Sequence, residues 1–301
     1  MKLTVILIVY EMARAAPRSI LSLLTPYQQG IAAEDYEVLV VDNGSATPIP
    51  AAEIESMGPN VRYCCLESPP PSPAYAINHA ASLARGDTLA IMIDGAHILT
   101  PGVLSSALDM FQARPNPLVL TAPFFLGPGP QMRTIAEGYD EAREDQLLSD
   151  IDWPADGYRL FEVGVPYRLI EDPETRPKLF WFVRMFESNC LFVRRQTFFE
   201  AGGCDQRFDL PGGGILLPDL YRELCRLPDT EIVQLLGEAS FHQVHGGVST
   251  NTTVENQRDK WNSYLAQYEQ VRGEPFEVSQ KPVRYYGHMP SRYASQLMKT
   301  G

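Results

Sequence analysis

Residues 88–101 read TLAIMIDGAHILTP. An apolar run over residues 89–93 stops at Asp94; Gly95, Ala96 and His97 follow, then Ile98, Leu99 and a Thr-Pro break. A continuous apolar run of this kind predicts a strand buried on both faces of a sheet. An unpaired carboxylate is too costly to bury inside such a strand, so Asp94 is expected at its carboxyl end. Open α/β sheets bind ligands beyond that end. Asp94 and His97 are together candidates for holding a divalent cation, and through it a diphosphate.

The residues before this stretch repeat the pattern. LTVILIVY, residues 3–10, is a buried strand by its β-branched content. Residues 13–24 read as a short helix with Pro17 near its start and Ile20, Leu21, Leu23 and Leu24 on one side. YEVLVV, residues 36–41, is the next strand and ends in Asp42-Asn43-Gly44-Ser45, where Asn-Gly favours a tight turn. Residues 48–57 are a weaker helix, 61–66 a third strand, and SPPPSP (68–73) a stiff extended loop. Residues 74–85 form a helix with Ile77, Ala80, Ala81 and Ala84 on one face and Gly86 as its cap. Strand and helix alternate, which implies right-handed parallel crossovers and an open α/β sheet. Three strand ends carry polar groups: Tyr10-Glu11, Asp42-Asn43 and Asp94. Taken alone, Asp42 is explained by an Asx turn; the three together point to a shared site.

The totals set limits. A chain of 301 residues, 45% hydrophobic and 21% charged, is ordinary globular composition, enough for one large domain or two small ones. A net charge of -12 argues against nucleic acid or an anionic membrane as partner. The five Cys include no C-x-x-C and read as reduced thiols of a cytoplasmic protein. No apolar run reaches the ~18 residues of a membrane span, and residues 3–9 suit a first strand better than a leader.

The second half is less regular. Residues 124–184 hold Gly127-Pro128-Gly129-Pro130, an acidic helix around 137–149, and aromatic-rich loops. So long a connection reads as functional or lid-like. Trp153, Tyr158, Tyr167, Phe180, Trp181 and Phe182 suit stacking on a ligand's apolar face, although core packing explains each one singly. SNCLFV (188–193) is a strand, residues 195–201 a helical turn stopped by Gly202-Gly203, and 217–227 a helix with Asp219 in its first turn. The helix dipole by itself favours a carboxylate there. Residues 232–236 are a short strand, and Gly246-Gly247 puts His242 and His245 on a loop. Thr252-x-x-Glu255 is a capping box for a helix reaching about Val271. That helix carries Trp261, Tyr264, Leu265 and Tyr268 on one face, to pack on the body or pair subunits as a homodimer. The tail after Lys281 offers Arg284 and Arg292 to a phosphate, or ends loosely.

Five stretches in order resemble the family 2 inverting glycosyltransferases of the GT-A fold: LTVILIVYE, VLVVDNGS, INHAASLARGDTLAIMIDGAHILTPGVL, FESNCLFVRRQTFFEAGGCDQRF and FHQVHGG. The resemblance implies one GT-A domain, a Rossmann-like, mostly parallel sheet with flanking helices and a smaller acceptor-side region. It divides the chain into a nucleotide-sugar-binding half (1–125), an insert (126–184), an acceptor-side half with the catalytic base (185–250), and a C-terminal helix and tail (251–301). A nucleotide-sugar donor (UDP-, GDP- or dTDP-sugar) is implied to meet Val9, Tyr10, Glu11, Asp42, Asn43, Asn78, Asp94 and Gly95. The acceptor is implied to be a glycan or a lipid-linked saccharide. Asp219 stands where the family's E-D motif places its general base, with Pro218 in place of the Glu. One departure matters: Ala96 fills the second position of the family's D-x-D, where the metal-binding Asp belongs. His97, the next residue, is then a substitute ligand beside Asp94, and His245 rather than His242 is the late one. Imidazole ligands favour Mn²⁺ over Mg²⁺. A catalytically degenerate domain that only binds nucleotide or glycan is the alternative. A nucleotidyltransferase would need G-x-G-T-R and a Rossmann oxidoreductase G-x-G-x-x-G after the first strand; Tyr10-Glu11-Met12-Ala13 is neither.

Overall fold

The apolar runs of the first hundred residues become adjacent parallel strands. In the computed structural model, which describes residues 1–167, 180–246 and 254–289, these are β1 (Leu3–Val9), β2 (Tyr36–Asp42), β3 (Val61–Cys65) and β4 (Thr88–Met92). Every residue of β1, β2 and β4 is buried, as unbroken apolar strands require. They are followed by β5 (His97–Leu99), β6 (Pro117–Leu126), β7 (Gly164–Pro166), β8 (Leu191–Arg194), β9 (Glu231–His242) and β10 (Val283–Gly287). The strand order is β10-β9-β6-β8-β4-β1-β2-β3, with β5 paired to β9 and β7 to β6. β1, β2, β3 and β4 run parallel, as do β6, β9 and β10, whereas β8 is antiparallel to both β4 and β6. The order reverses at β1, with β2 on one side and β4 on the other, which is where open sheets form a ligand crevice.

Helices cover both faces: α1 (Ala16–Ser22), α2 (Ala51–Ser56), α3 (Ala74–Leu83), α4 (Val103–Ala113), α5 (Gln131–Thr134), α6 (Glu141–Ile151), α7 (Leu160–Val163), α8 (Arg195–Glu200), α9 (Leu216–Arg226) and α10 (Val254–Arg272). One core layer joins Ile6, Leu39, Ile77, Phe198, Leu220 and Tyr268; the other joins Leu7, Val40, Ile20, Leu104 and Phe111. Burying each large side chain contributes roughly 1.5–3 kcal/mol. The aromatic stripe of α10 packs on the body through Tyr264 and Tyr268, of which Tyr268 is fully buried. Trp153 and Trp181 likewise belong to a core cluster. No helix among the described residues is long and apolar enough to cross a membrane.

Several expectations need correction. Gly86 is not a helix cap, because α3 ends at Leu83 with Ala84 extended. It is glycine because a Cβ there would lie 2.4 Å from the Leu3 carbonyl carbon of β1. The strand expected over residues 232–236 continues to His242 as β9, passing a positive-φ Gly237 and an irregularity in its register with β6. His242 is therefore a strand residue, paired with His97 of β5, not a loop residue. Residues 283–287, expected over a donor phosphate or loose, form the edge strand β10, and Arg284 there pairs with Glu231 at 2.7 Å. Arg292, Gly247 and the capping Thr252 lie outside the described residues.

Candidate active site

Beyond β4 the chain turns on Asp94, whose Oδ1 accepts the Ala96 N–H at 2.9 Å. Gly95 allows this turn to lie against β1; a Cβ there would sit 2.5 Å from Val9 Cγ1. Ala96 points inward and is fully buried. The other Asp94 oxygen, Oδ2, lies 3.1 Å from His245 Nε2 and 3.5 Å from His242 Nε2, and the two Nε2 atoms are 3.1 Å apart. Three ligand atoms thus converge from β4 and the end of β9, all within 4.8 Å of one another. Burial opposes ionisation of Asp94, but His245 and His242 outweigh it and hold the carboxyl well below its usual range. Burial pushes His242 down, while Asp94 carries His245 up against its own burial.

Of the sequence-derived ligands, the structure brings Asp94 and His245 together and adds His242. It does not bring in His97. That imidazole is buried and lines the same cleft outside the group, its ring 4.9 Å from the His242 ring and edge-on to it, and burial pushes its pKa down to about 3. The reason is register: β5 pairs His97 with His242, and the strand end carries His242, not His97, to the carboxylate. One carboxylate oxygen and two imidazole nitrogens are a donor set that suits Mn²⁺ or a similar transition ion better than Mg²⁺.

These groups open into a cleft of about 1760 Å³ at the carboxyl ends of the parallel strands. Tyr10, Glu11, Asn43 and Gly44 line it beyond β1 and β2, and Pro69, Pro70 and Pro71 form one lip. Glu11 has a positive φ of 52°, fixed by its N–H on Ser45 Oγ at 2.8 Å and its carboxylate on the Ala46 N–H at 2.5 Å. The side chain of Asn43 donates to the Pro70 carbonyl, and its buried Oδ1 has no partner among the described residues.

Three expected site residues are placed elsewhere. Asp42 does not line the cleft; it accepts the Ser45 N–H at 2.7 Å and the Tyr63 hydroxyl at 3.3 Å, the turn-forming role its Asn-Gly context also predicted. Asn78 clips α3 to the Gly202-Gly203 turn by bonding both the N–H and the carbonyl of Cys204. Asp219 is fully buried, and Arg272 of α10 holds both its oxygens at 2.7 Å. The residue of α9 that faces the cleft is Leu217. Val9 is buried in β1 and takes part through its carbonyl, which accepts the Asn43 N–H.

Sequence reading missed how the insert serves the site. Glu144 of α6 is fully buried and accepts the Val244 N–H at 2.7 Å, while Arg14 donates to the Val244 carbonyl at 3.1 Å and to Glu144. Gln131 of α5 donates to the His245 carbonyl at 2.7 Å. The backbone between the two imidazoles is thereby clamped by Gln131 and Glu144 of the insert and by Arg14, just before α1. Partners that orient a ligand are worth 10–100-fold in metal affinity. Glu144→Ala is expected to weaken Mn²⁺ binding by about tenfold or more, measured by calorimetry on a variant whose circular dichroism is unchanged.

The sequence matches the family described as glycosyl transferase family 2 over residues 4–164. The chain belongs to that family, a class of transferases. A search of curated proteins returns no match. Among solved structures it is similar to S. aureus TarS 1–349 in complex with UDP-GlcNAc, at 14% identity and TM-score 0.53, covering 89% of this chain and 67% of that one. It is also similar to the mannosyltransferase PcManGT from Pyrobaculum calidifontis in complex with GDP-Man and Mn²⁺, at 16% identity and TM-score 0.54, covering 98% and 68%. The chain spans 66% of TarS 1–349 alone and 44% of the longer TarS structure. At these identities the likeness establishes the fold, which is GT-A.

Proposed function

We propose that this protein moves a sugar, with inversion, from a nucleotide-diphosphate donor to an acceptor hydroxyl in glycan synthesis. The observation that carries the reading is the convergence of Asp94, His242 and His245 on one point of the cleft, across the sheet's reversal from Tyr10, Glu11 and Asn43. Nucleoside and diphosphate need adjoining sites of this kind, one walled by polar strand ends and one able to hold a cation. When bound, the cation acts as a Lewis acid for charge growing on the leaving diphosphate. Asp94 and His245 orient that end of the donor, and the clamp from α5 and α6 fixes His245. The far side of the cleft, with Phe186, Trp261 and Tyr264, is where a glycan or lipid-linked acceptor has room. Family membership, and the UDP-GlcNAc and GDP-Man carried by the similar structures, support the donor class. The cysteines are all free thiols, in keeping with a reducing, cytoplasmic setting.

A second reading, binding without transfer, draws on the withdrawal of Asp219 and on Ala96 in the D-x-D position. Calorimetry with UDP, GDP and dTDP, with Mn²⁺ and with EDTA, followed by NMR of the sugar-donor products, separates the two. The transferase reading expects one nucleotide to bind in a Mn²⁺-dependent way and its α-linked donor to yield a β product. Donor bound and left intact supports the second reading, and failure of every nucleotide to bind contradicts both.

A further inference from the structure

Inverting transfer needs a base on the acceptor side, and Asp219 is not free to serve. Among the described residues, four carboxylates line the cleft: Glu11, Asp94, Glu162 and Glu187. Glu11 accepts the Ala46 N–H, Asp94 faces the two imidazoles, and Glu162 is held by Arg159 at 3.1 and 3.2 Å. No hydrogen bond or ion pair from a described residue meets Glu187.

Its position follows from topology. β8 is antiparallel to β4, with Leu191 opposite Ile91. The amino end of β8 therefore lies at the rim where β4 ends, so Glu187 and Asp94 overhang the same edge. Ser188 is buried; its hydroxyl accepts the Thr121 N–H at 3.1 Å and lies within donating distance of the Thr121 and Cys190 carbonyls, which ties this segment to β6 and β8. Glu187 and Asn189 line the cleft on either side of Ser188.

We propose that Glu187 is the general base that takes the acceptor's proton, an inference that rests on the transferase reading above. As the acceptor oxygen attacks, a new bond forms to the anomeric carbon and the bond from that carbon to the diphosphate oxygen breaks. The electron pair leaves with the nucleoside diphosphate, and the acceptor's proton moves to a Glu187 carboxylate oxygen, from which it passes to water. Burial pushes the Glu187 carboxyl up to about 7, a value suited to a base near neutral pH. The other titratable and charged groups of described residues that line the cleft are Tyr10, Glu11, Asp94, His97, Arg133, Glu162, Tyr167, His242, His245, Arg258, Lys260 and Tyr264. Burial and the Glu187 charge hold the Tyr167 phenol above its usual range, so it does not titrate near neutrality.

The test is Mn²⁺-dependent hydrolysis of UDP-GlcNAc and GDP-mannose, with water as acceptor, by the full chain and by Glu187→Gln and Glu187→Asp. Glu187→Gln is expected to lower kcat by about 100-fold or more with the donor KM unchanged, and Glu187→Asp to recover part of the loss. With Mn²⁺ saturating at every pH, so that both imidazoles stay ligated, the wild-type rate should rise with pH through about 7, because the base must be deprotonated, and Glu187→Gln should lack that rise. If Glu187→Gln keeps kcat within about threefold while Asp94→Ala is inactive, the base is another group and the transferase reading stands. A wild type that binds donor without consuming it overturns Glu187 as base, and one that binds no donor overturns the assignment together with the reading beneath it.

Discussion

Arg272→Ala is expected to destabilise the folded chain by about 3–5 kcal/mol, the cost of leaving a buried charge without its partner. Asp219 is fully buried and Arg272 only 18% exposed by side chain, so solvent screens the pair little. The guanidinium binds both carboxylate oxygens, from Nε and from Nη2, at 2.7 Å. Burial pushes the Asp219 carboxyl up even with that partner in place. Removing the guanidinium leaves the acid to protonate or the helices to part. The same pair joins α9 to the end of α10, and Arg272 also stands over the Phe208 ring. Urea denaturation measures the loss. A change under about 1 kcal/mol would mean the pair is no stronger than a surface contact. Asp219→Asn, which the resemblance makes the inactive variant, belongs by this account among the stability variants.

Asp94→Ala is expected to weaken Mn²⁺ binding by on the order of 100-fold and to remove nucleotide binding that depends on it. Asp94 is the single carboxylate among the three converging ligands, and both imidazoles face its Oδ2. Two neutral imidazoles alone give the ion no negative charge to offset the cost of its desolvation. The side chain is about a quarter exposed and lies beyond the strand, so the fold should survive its loss. Mn²⁺ affinity within threefold of wild type would remove Asp94 from the site.

The parallel half of the fold was legible because its strands are unbroken apolar runs, and Asp94 was legible because it ends one of them. His242 was not. Gly237 and Glu238 interrupt the apolar pattern of β9, and Gly246 suggests a loop, so the strand signal ends before the imidazole. β10 escaped notice because an edge strand needs no apolar face; Arg284 and Tyr285 of it are exposed. The two readings of Asp219 could not be separated without its partner, which is 53 residues away in sequence. Glu187 carried a faint signal, a carboxylate just before an apolar strand. Its meaning depends on β8 running antiparallel, which sets the start of that strand beside the ends of the others. The role of the insert was likewise hidden, since Glu144 meets Val244 across 100 residues.

The central claim is that two imidazoles and one carboxylate hold the donor's cation. Pulsed electron paramagnetic resonance of Mn²⁺ bound to the wild-type chain with UDP or GDP tests it most directly. The account predicts nitrogen couplings from two imidazoles, reduced to one in His242→Ala and in His245→Ala. A spectrum with oxygen ligands alone would contradict it.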